Sequence, residues 1–154
     1  MARSHSPNPS DRMGVYKRLE DVPDRYRLYH HTDAYDGWDV WEDYLTTALF
    51  GDRPADEVPR EKRRFGERWK SHMGRRHHAL ATPDDVASWS AELNEEYAPI
   101  TAVHYWTTIE RFYWWLLEHT DHPHVYHPFL MAADSDDETR AIWDTKVKHA
   151  PGDL

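Results

Sequence analysis

TAVHYWTTIERFYWWLLEHTDHPHVYHPF, residues 101–129, is the stretch that decides the fold of this 154-residue chain. It contains three of the eight tryptophans and five of the twelve histidines. Glu110, Arg111 and Glu118 interrupt the run of about 20 apolar residues that a membrane-spanning helix needs. We therefore expect this stretch to form a helix of a water-soluble protein, with no membrane partner.

The stretch has the periodicity of an amphipathic helix. One face carries apolar residues, namely Tyr105, Ile109, Phe112 and Leu116. The other side is polar and carries His104, Thr107, Thr108 and Arg111. Trp114 and Trp115 flank the polar side, and we expect at least one of them to be partly exposed. The pattern predicts a core helix at the centre of the fold.

Four further helices are predicted from periodicity and from helix-terminal residues, at residues 36–51, 59–74, 83–93 and 134–149. Gly51 and Gly74 end the first two, Thr82 caps the third ahead of Pro83, and Ser135 or Asp136 caps the last. No alternating strand pattern occurs. The sequence therefore predicts an all-α fold, a small bundle of four to five helices.

The organisation along the chain follows from these helices. Residues 1–34 lack a clear helical period and are interpreted as a flexible leader, residues 35–133 as the helical domain, and residues 134–154 as a C-terminal helix and tail. The first ten residues lack the apolar run of a signal peptide. We expect a cytoplasmic protein.

The composition indicates an acidic surface and excludes cysteine chemistry. There are 17 Asp, 11 Glu, 14 Arg and only 5 Lys, with a net charge of −9. An acidic, Asp-rich and Lys-poor surface is typical of proteins that stay dissolved in concentrated salt, so we interpret the chain as halophilic. Because there is no cysteine, the sequence excludes disulfides and thiolate metal sites.

Positive charge is concentrated in REKRRFGERWKSHMGRRHH, residues 60–78, which holds eight Lys or Arg against two Glu. The cations are Arg60, Lys62, Arg63, Arg64, Arg68, Lys70, Arg75 and Arg76. A basic patch in an otherwise acidic protein is typical of a polyanion-binding surface, most often for nucleic acid. The alternative is a solvated helix face that pairs with acids elsewhere in the chain.

Several segments together resemble the N-terminal core-binding domain of tyrosine recombinases, the phage integrase family, particularly haloarchaeal members. They are the basic stretch, PDDVASWSAEL at residues 83–93, TAVHYWTTIERFYWWLLEH at residues 101–119 and PHVYHPF at residues 123–129. The resemblance covers residues 36–133 and implies a SAM-like bundle of about four helices. His127 stands before Pro128 where the family usually has Asn.

In this family the core-binding domain and the catalytic domain clamp DNA from opposite sides. The resemblance therefore implies that the eight cations of the basic stretch contact double-stranded DNA. It also implies contacts from the polar side of the aromatic helix, namely His104, Thr107, Thr108 and Arg111.

The chain also contains elements that look catalytic. His72 and Arg75 match the family's His-x-x-Arg element, and Tyr113 lies downstream. The element precedes the aromatic helix here, whereas in the family it lies in the catalytic domain, and only 21 residues follow Ala133. We therefore expect no enzyme activity and no catalytic residue.

The histidine-rich turn offers a metal site only if its imidazoles converge. Its members are His119, His122, His124 and His127. We expect them to pack against aromatic rings, with no metal and no cofactor. Three functions stay open: a non-catalytic DNA-binding accessory or regulator of recombination, integration or transcription; a module that docks on a full-length recombinase, another subunit or itself; and a metal-dependent enzyme built on this turn.

Overall fold

The computed structural model describes residues 6–49, 51 and 58–149, and predictions for residues 1–5, 50, 52–57 and 150–154 lie outside this range. Within the described residues the chain forms seven α-helices and no strand, which confirms the all-α prediction. The helices are α1 (Thr32–Tyr35), α2 (Val40–Asp43), α3 (Arg60–Met73), α4 (Pro83–Glu96), α5 (Pro99–Glu118), α6 (Pro128–Ser135) and α7 (Asp137–His149). The number exceeds the predicted four to five, and the SAM-like arrangement stays a prediction.

Helix α5 is the centre of the fold and contacts α3, α4, α6 and α7. Its predicted apolar face is buried, and Trp106 and Tyr113 beside it are fully buried as well. Trp114 and Trp115 are each partly exposed, as predicted. Among the helices of the described residues, none combines the length and the apolar character that crossing a bilayer requires.

The ends of α3 and α4 confirm the predicted terminal residues. Gly74 ends α3 at φ 61°, a positive φ that glycine adopts without strain. At the start of α4, the Thr82 hydroxyl accepts a hydrogen bond from the Asp85 N–H, and the Asp85 carboxylate accepts one from the Thr82 N–H. This reciprocal capping box satisfies two backbone donors that the helix itself cannot.

The predicted helix at residues 36–51 is interrupted. Helix α1 ends before it, and Gly37 turns the chain at φ 75°. Helix α2 then begins at Val40 and continues as a π-helical turn, Tyr44–Leu49. The helical period in this segment is therefore that of α2 and its extension, while Trp38 lies on the preceding turn and is 36% exposed.

The segment interpreted as a leader contributes to the core over residues 6–34. It forms short 3₁₀ turns and buries Met13, Val22 and Leu28. The indole N–H of Trp143 in α7 donates to the Pro7 carbonyl at 2.7 Å, and the Arg12 guanidinium lies over the same indole. The residue-34 boundary therefore does not separate an unpacked tail from the bundle.

Two elements at the C-terminal side refine the prediction. Helix α6 is additional and begins at Pro128, directly after the histidine-rich turn, and it is almost entirely buried. Helix α7 begins at Asp137, and the carboxylate of Asp136 accepts a hydrogen bond from the Thr139 N–H at 2.9 Å. Asp136 is thus the cap, rather than Ser135.

Candidate nucleic-acid interface

The basic stretch forms α3 and the turn after it, and half of its cations are paired within the chain. Four ion pairs join it to neighbouring elements: Arg63 to Glu42, Arg68 to Glu96, Lys70 to Asp39 and Arg76 to Asp85. Asp39 and Glu42 belong to the start of α2, whereas Asp85 and Glu96 belong to α4. These four cations therefore attach α3 to its two neighbours, as the alternative interpretation of the patch proposed.

The other four cations of the stretch are Arg60, Lys62, Arg64 and Arg75. Within the described part of the chain none of them lies in ion-pair distance of a carboxylate, and the same holds for Arg111 of α5. Arg60 and Arg64 lie one turn apart on the exposed face of α3. Among the lysines and arginines predicted to contact DNA, these five are therefore the ones left to bind a partner.

Two of the five unpaired cations, Lys62 and Arg111, meet in one groove. This groove, here called the basic groove, has a volume of about 370 Å³ and lies over α5 between α3 and α7. Its lining residues are Glu61, Lys62 and Phe65 from α3, Ile100, Val103, His104, Thr107, Thr108 and Arg111 from α5, and Lys146 and His149 from α7. The structure therefore brings all four predicted polar residues of α5 together with Lys62.

The electrostatics of the basic groove centre on two like charges. Partial burial, and then the positive charge of Arg111, lower the pKa of the Lys62 ammonium below its usual range, while Glu61 acts in the opposite direction. Two cations held near each other without a carboxylate bound to either are mutually destabilising. An anion in the groove would relieve this repulsion.

The four polar residues of α5 are not equally accessible. His104 and Arg111 are exposed, but Thr107 and Thr108 are each only 8% exposed, because α3 and α7 flank this face of the helix. The Thr108 hydroxyl donates to the His104 carbonyl at 2.7 Å. The buried Thr107 hydroxyl has no hydrogen-bond partner within the described residues. Both threonines can contact a ligand only through the groove.

A buried ion pair lies beneath the basic groove, and the sequence did not predict it. Glu110 and Lys146 are 2% and 4% exposed, and the Lys146 ammonium donates to the Glu110 carboxylate at 2.9 Å. Burial acts to raise the pKa of Glu110, but Lys146 and the fully buried His127 outweigh it, so this pKa lies below its usual range. Because Lys146 and Glu110 are 36 residues apart, no local spacing indicates their pairing.

Two of the residues that look catalytic, His72 and Tyr113, have structural partners. His72 Nδ1 lies 2.8 Å from the Glu92 carboxylate, and its Nε2 lies 3.0 Å from the Asp85 carbonyl. Tyr113 is fully buried; its hydroxyl donates to the His78 carbonyl and accepts from the Ala81 N–H, each at 2.9 Å. Burial raises the pKa of Tyr113 well above its usual value. A nucleophile in this environment would be both inaccessible and protonated.

The histidine-rich turn directs its imidazoles to different partners. His122 Nδ1 lies 2.5 Å from the Tyr35 hydroxyl, His124 Nε2 lies 2.6 Å from the Ala79 carbonyl, and His127 Nε2 lies 3.1 Å from the Glu110 carbonyl. Within the described ranges, no three His, Asp or Glu side chains are arranged to hold a metal ion. The turn joins α5 to α6 by packing, and the His119 ring lies tilted at 47° against Trp115, with ring centroids 5.0 Å apart.

In comparisons with known proteins, no family model, no curated protein and no solved structure matches this chain. The features of the chain that bear on its function are therefore the basic groove and the cations around it.

Proposed function

We propose that the chain is a non-catalytic DNA-binding protein that contacts double-stranded DNA through the basic groove and the exposed face of α3. One observation carries the proposal: Lys62 and Arg111, from two different helices, line one groove, and among the residues that the structure describes neither is paired with a carboxylate. An arginine can bind a phosphate through two parallel hydrogen bonds, and a lysine adds a point charge. The resemblance to recombinase core-binding domains favours a role in recombination, integration or transcription.

The proposed contact surface is smaller than the basic stretch. Arg60 and Arg64 extend it along α3, and Arg75 extends it past Gly74. Arg63, Arg68, Lys70 and Arg76 are less suited to contact phosphate, because each would first have to leave a carboxylate. We therefore expect few phosphate contacts and a modest dependence of affinity on salt.

Arg111 is the residue we propose for sequence recognition. It is exposed at the edge of the groove on a helix, and arginine binds guanine through two hydrogen bonds in the major groove of DNA. Replacement of Arg111 by alanine should reduce discrimination between preferred and other sequences by about 1–3 kcal/mol. Nonspecific affinity should fall less.

The test is a titration of duplex DNA over a range of potassium chloride concentrations, with wild type and a Lys62→Gln/Arg111→Gln variant. Each phosphate contact contributes about 0.9 to the slope of log affinity against log salt. We expect the double variant to bind DNA more weakly at low salt. Its slope should be smaller by about 1.8, which corresponds to two lost phosphate contacts. Arg140→Gln is the control, because Arg140 is an arginine of α7 outside the groove. Equal binding by all three proteins would contradict the proposal.

Protein docking is the second candidate, and exposed aromatic side chains favour it. Trp38 is 36% exposed and stacks on Tyr35 at 4.9 Å and on His122 at 5.2 Å, and Tyr29 is 59% exposed. Aromatic residues of this kind are enriched in protein interfaces. A full-length recombinase or a second copy of the chain would be the partner. Sedimentation of wild type and Trp38→Ser would detect self-association that depends on this surface.

A further inference from the structure

The basic groove has an apolar part as well as a charged part. Ile100 at its edge is 45% exposed, although it is a large aliphatic residue on a helix, and Phe65 and Val103 lie beside it in the lining. The cations Lys62 and Arg111 line the same space. A sugar-phosphate backbone would use the charged part and leave the apolar part without a partner.

We propose that the basic groove binds a small organic anion, a phosphate or carboxylate attached to an apolar or aromatic body. The anionic group would lie between Lys62 and Arg111, and the body would cover Ile100. The volume of about 370 Å³ lies within the range of about 300–1,000 Å³ that is typical of ligand pockets. Ligand pockets combine an apolar surface with convergent polar groups. Here Phe65, Ile100 and Val103 supply the apolar surface, and the remaining lining residues are polar or charged.

The buried Thr107 hydroxyl provides separate evidence for a ligand. It belongs to the groove lining, is nine-tenths buried and lacks a hydrogen-bond partner within the described residues. A buried hydroxyl without a partner is destabilising, so a position that serves packing alone would favour valine. A rotation of the Thr107 side chain toward the groove would allow its hydroxyl to bond to the anion.

Binding of such a ligand would also regulate the proposed function, since Lys62 and Arg111 are the proposed DNA contacts. This consequence rests on the proposed function, whereas ligand binding itself does not. The ligand and a phosphate of DNA would compete for the same two cations. The ligand would therefore release DNA from the protein.

The test uses three matched probes: phenyl phosphate, inorganic phosphate and phenol. Only the first combines an anion with an apolar body. A ligand that binds the folded state alone raises the unfolding midpoint in a concentration-dependent way. We expect phenyl phosphate to raise the midpoint of the wild-type protein, and the other two probes to raise it clearly less at equal concentration. No shift with phenyl phosphate, or an equal shift with inorganic phosphate, would overturn the proposal.

Variants locate the site. Lys62→Gln and Arg111→Gln should each lower the affinity for phenyl phosphate by about tenfold, which is the effect of one lost charge-assisted hydrogen bond. Both should fold, because each removes a repulsive charge, and circular dichroism would check this. Ile100→Ser tests the apolar part of the groove. It should lower the affinity for phenyl phosphate and leave the response to inorganic phosphate unchanged. Unchanged phenyl phosphate binding in all three variants would place the ligand elsewhere and overturn the proposal.

Two further variants distinguish this proposal from the DNA proposal. Arg140→Gln should bind phenyl phosphate and DNA as the wild type does. Arg60→Gln should lower the affinity for DNA but not the affinity for phenyl phosphate, because Arg60 is outside the groove lining. If DNA does not bind and phenyl phosphate does, only the DNA proposal fails. If DNA binds, and phenyl phosphate neither shifts the unfolding midpoint nor displaces the DNA, only the ligand proposal fails.

Discussion

The indole ring of Trp41 lies directly against the backbone of Gly66, so closely that a Cβ atom at residue 66 would be 2.2 Å from Trp41 Nε1. Gly66 lies in the middle of α3, where a glycine costs about 1 kcal/mol relative to alanine. The close approach explains this glycine, because α2 could not otherwise pack its tryptophan on α3. Trp41 also contacts Phe112 of α5 edge-on at 5.2 Å, so the contact connects three helices.

The first prediction is that Gly66→Ala destabilises the protein, although helix propensity alone favours alanine. The methyl group would overlap a rigid buried ring, and overpacking of this kind costs about 1–3 kcal/mol. Urea unfolding measures the difference. Ala87→Gly in α4 is the control for propensity, because it should cost about 1 kcal/mol without any steric change. Greater stability of the Gly66→Ala protein would show that Trp41 can move aside.

The second prediction concerns the buried pair of Glu110 and Lys146. Lys146→Met should destabilise the fold by about 3–5 kcal/mol, because it leaves the Glu110 charge buried without its main partner. The double variant Glu110→Leu/Lys146→Met should lose much less than the two single variants together. Unfolding free energies of all four proteins complete the cycle. Additive losses would mean that the two charges do not depend on each other.

The third prediction is a loss of stability as the pH falls below about 6.5. Burial lowers the pKa of His78 to about 3, with His77 and Lys70 adding to the effect, and burial likewise lowers the pKa of His124 to about 3. Unfolded histidines titrate near pH 6.5, so between these values the unfolded state binds more protons than the folded state. Each imidazole should then remove up to about 1.4 kcal/mol of stability per pH unit.

Urea unfolding between pH 7.5 and 4.5 checks the third prediction. His78→Gln should reduce the slope, because Gln does not titrate but can accept the hydrogen bond that the backbone N–H of Trp41 donates to His78 Nε2. His104→Gln is the control for the same substitution at an exposed position. A stability that is flat over this range would mean that His78 and His124 become protonated without unfolding.

The sequence predicted α3, α4, α5 and α7 well because each has a long apolar period and recognisable terminal residues, such as Thr82 and Gly74. It missed α6 because the first six of its eight residues are buried in succession and leave no polar face to reveal a period. It also missed the packing of residues 6–34, since 3₁₀ turns bury single residues such as Val22 and Leu28 without a regular spacing. Short and fully buried elements are where pattern analysis had least information.

The candidate site was predicted in part. The sequence indicated the basic element and the polar side of α5, and helical geometry explains why Lys62 and Arg111 could meet. It did not indicate that Lys146 and His149 of α7 complete the groove, because that depends on how α7 packs on α5. Nor did it indicate which arginines are paired, because partners such as Arg68 and Glu96 are 28 residues apart.

The last prediction tests this division of the basic stretch with two variants of equal net charge. One replaces the paired cations Arg63, Arg68, Lys70 and Arg76 by glutamine, and the other replaces the unpaired cations Arg60, Lys62, Arg64 and Arg75. An exposed ion pair contributes about 0.2–1 kcal/mol, so the first variant, which breaks four pairs, should lose about 1–4 kcal/mol in urea unfolding. The second should lose less, because its cations have no carboxylate partner within the part of the chain that the structure describes.

For DNA we expect the opposite order. Both variants reduce long-range attraction equally, since both remove four charges, so any difference in affinity reports direct contacts. The unpaired set should lose more affinity and more of the salt slope than the paired set, when both are measured at a temperature where both are folded. If the two variants bind DNA equally well, net charge alone explains the binding. In that case the groove formed by Lys62 and Arg111 has no particular role in it.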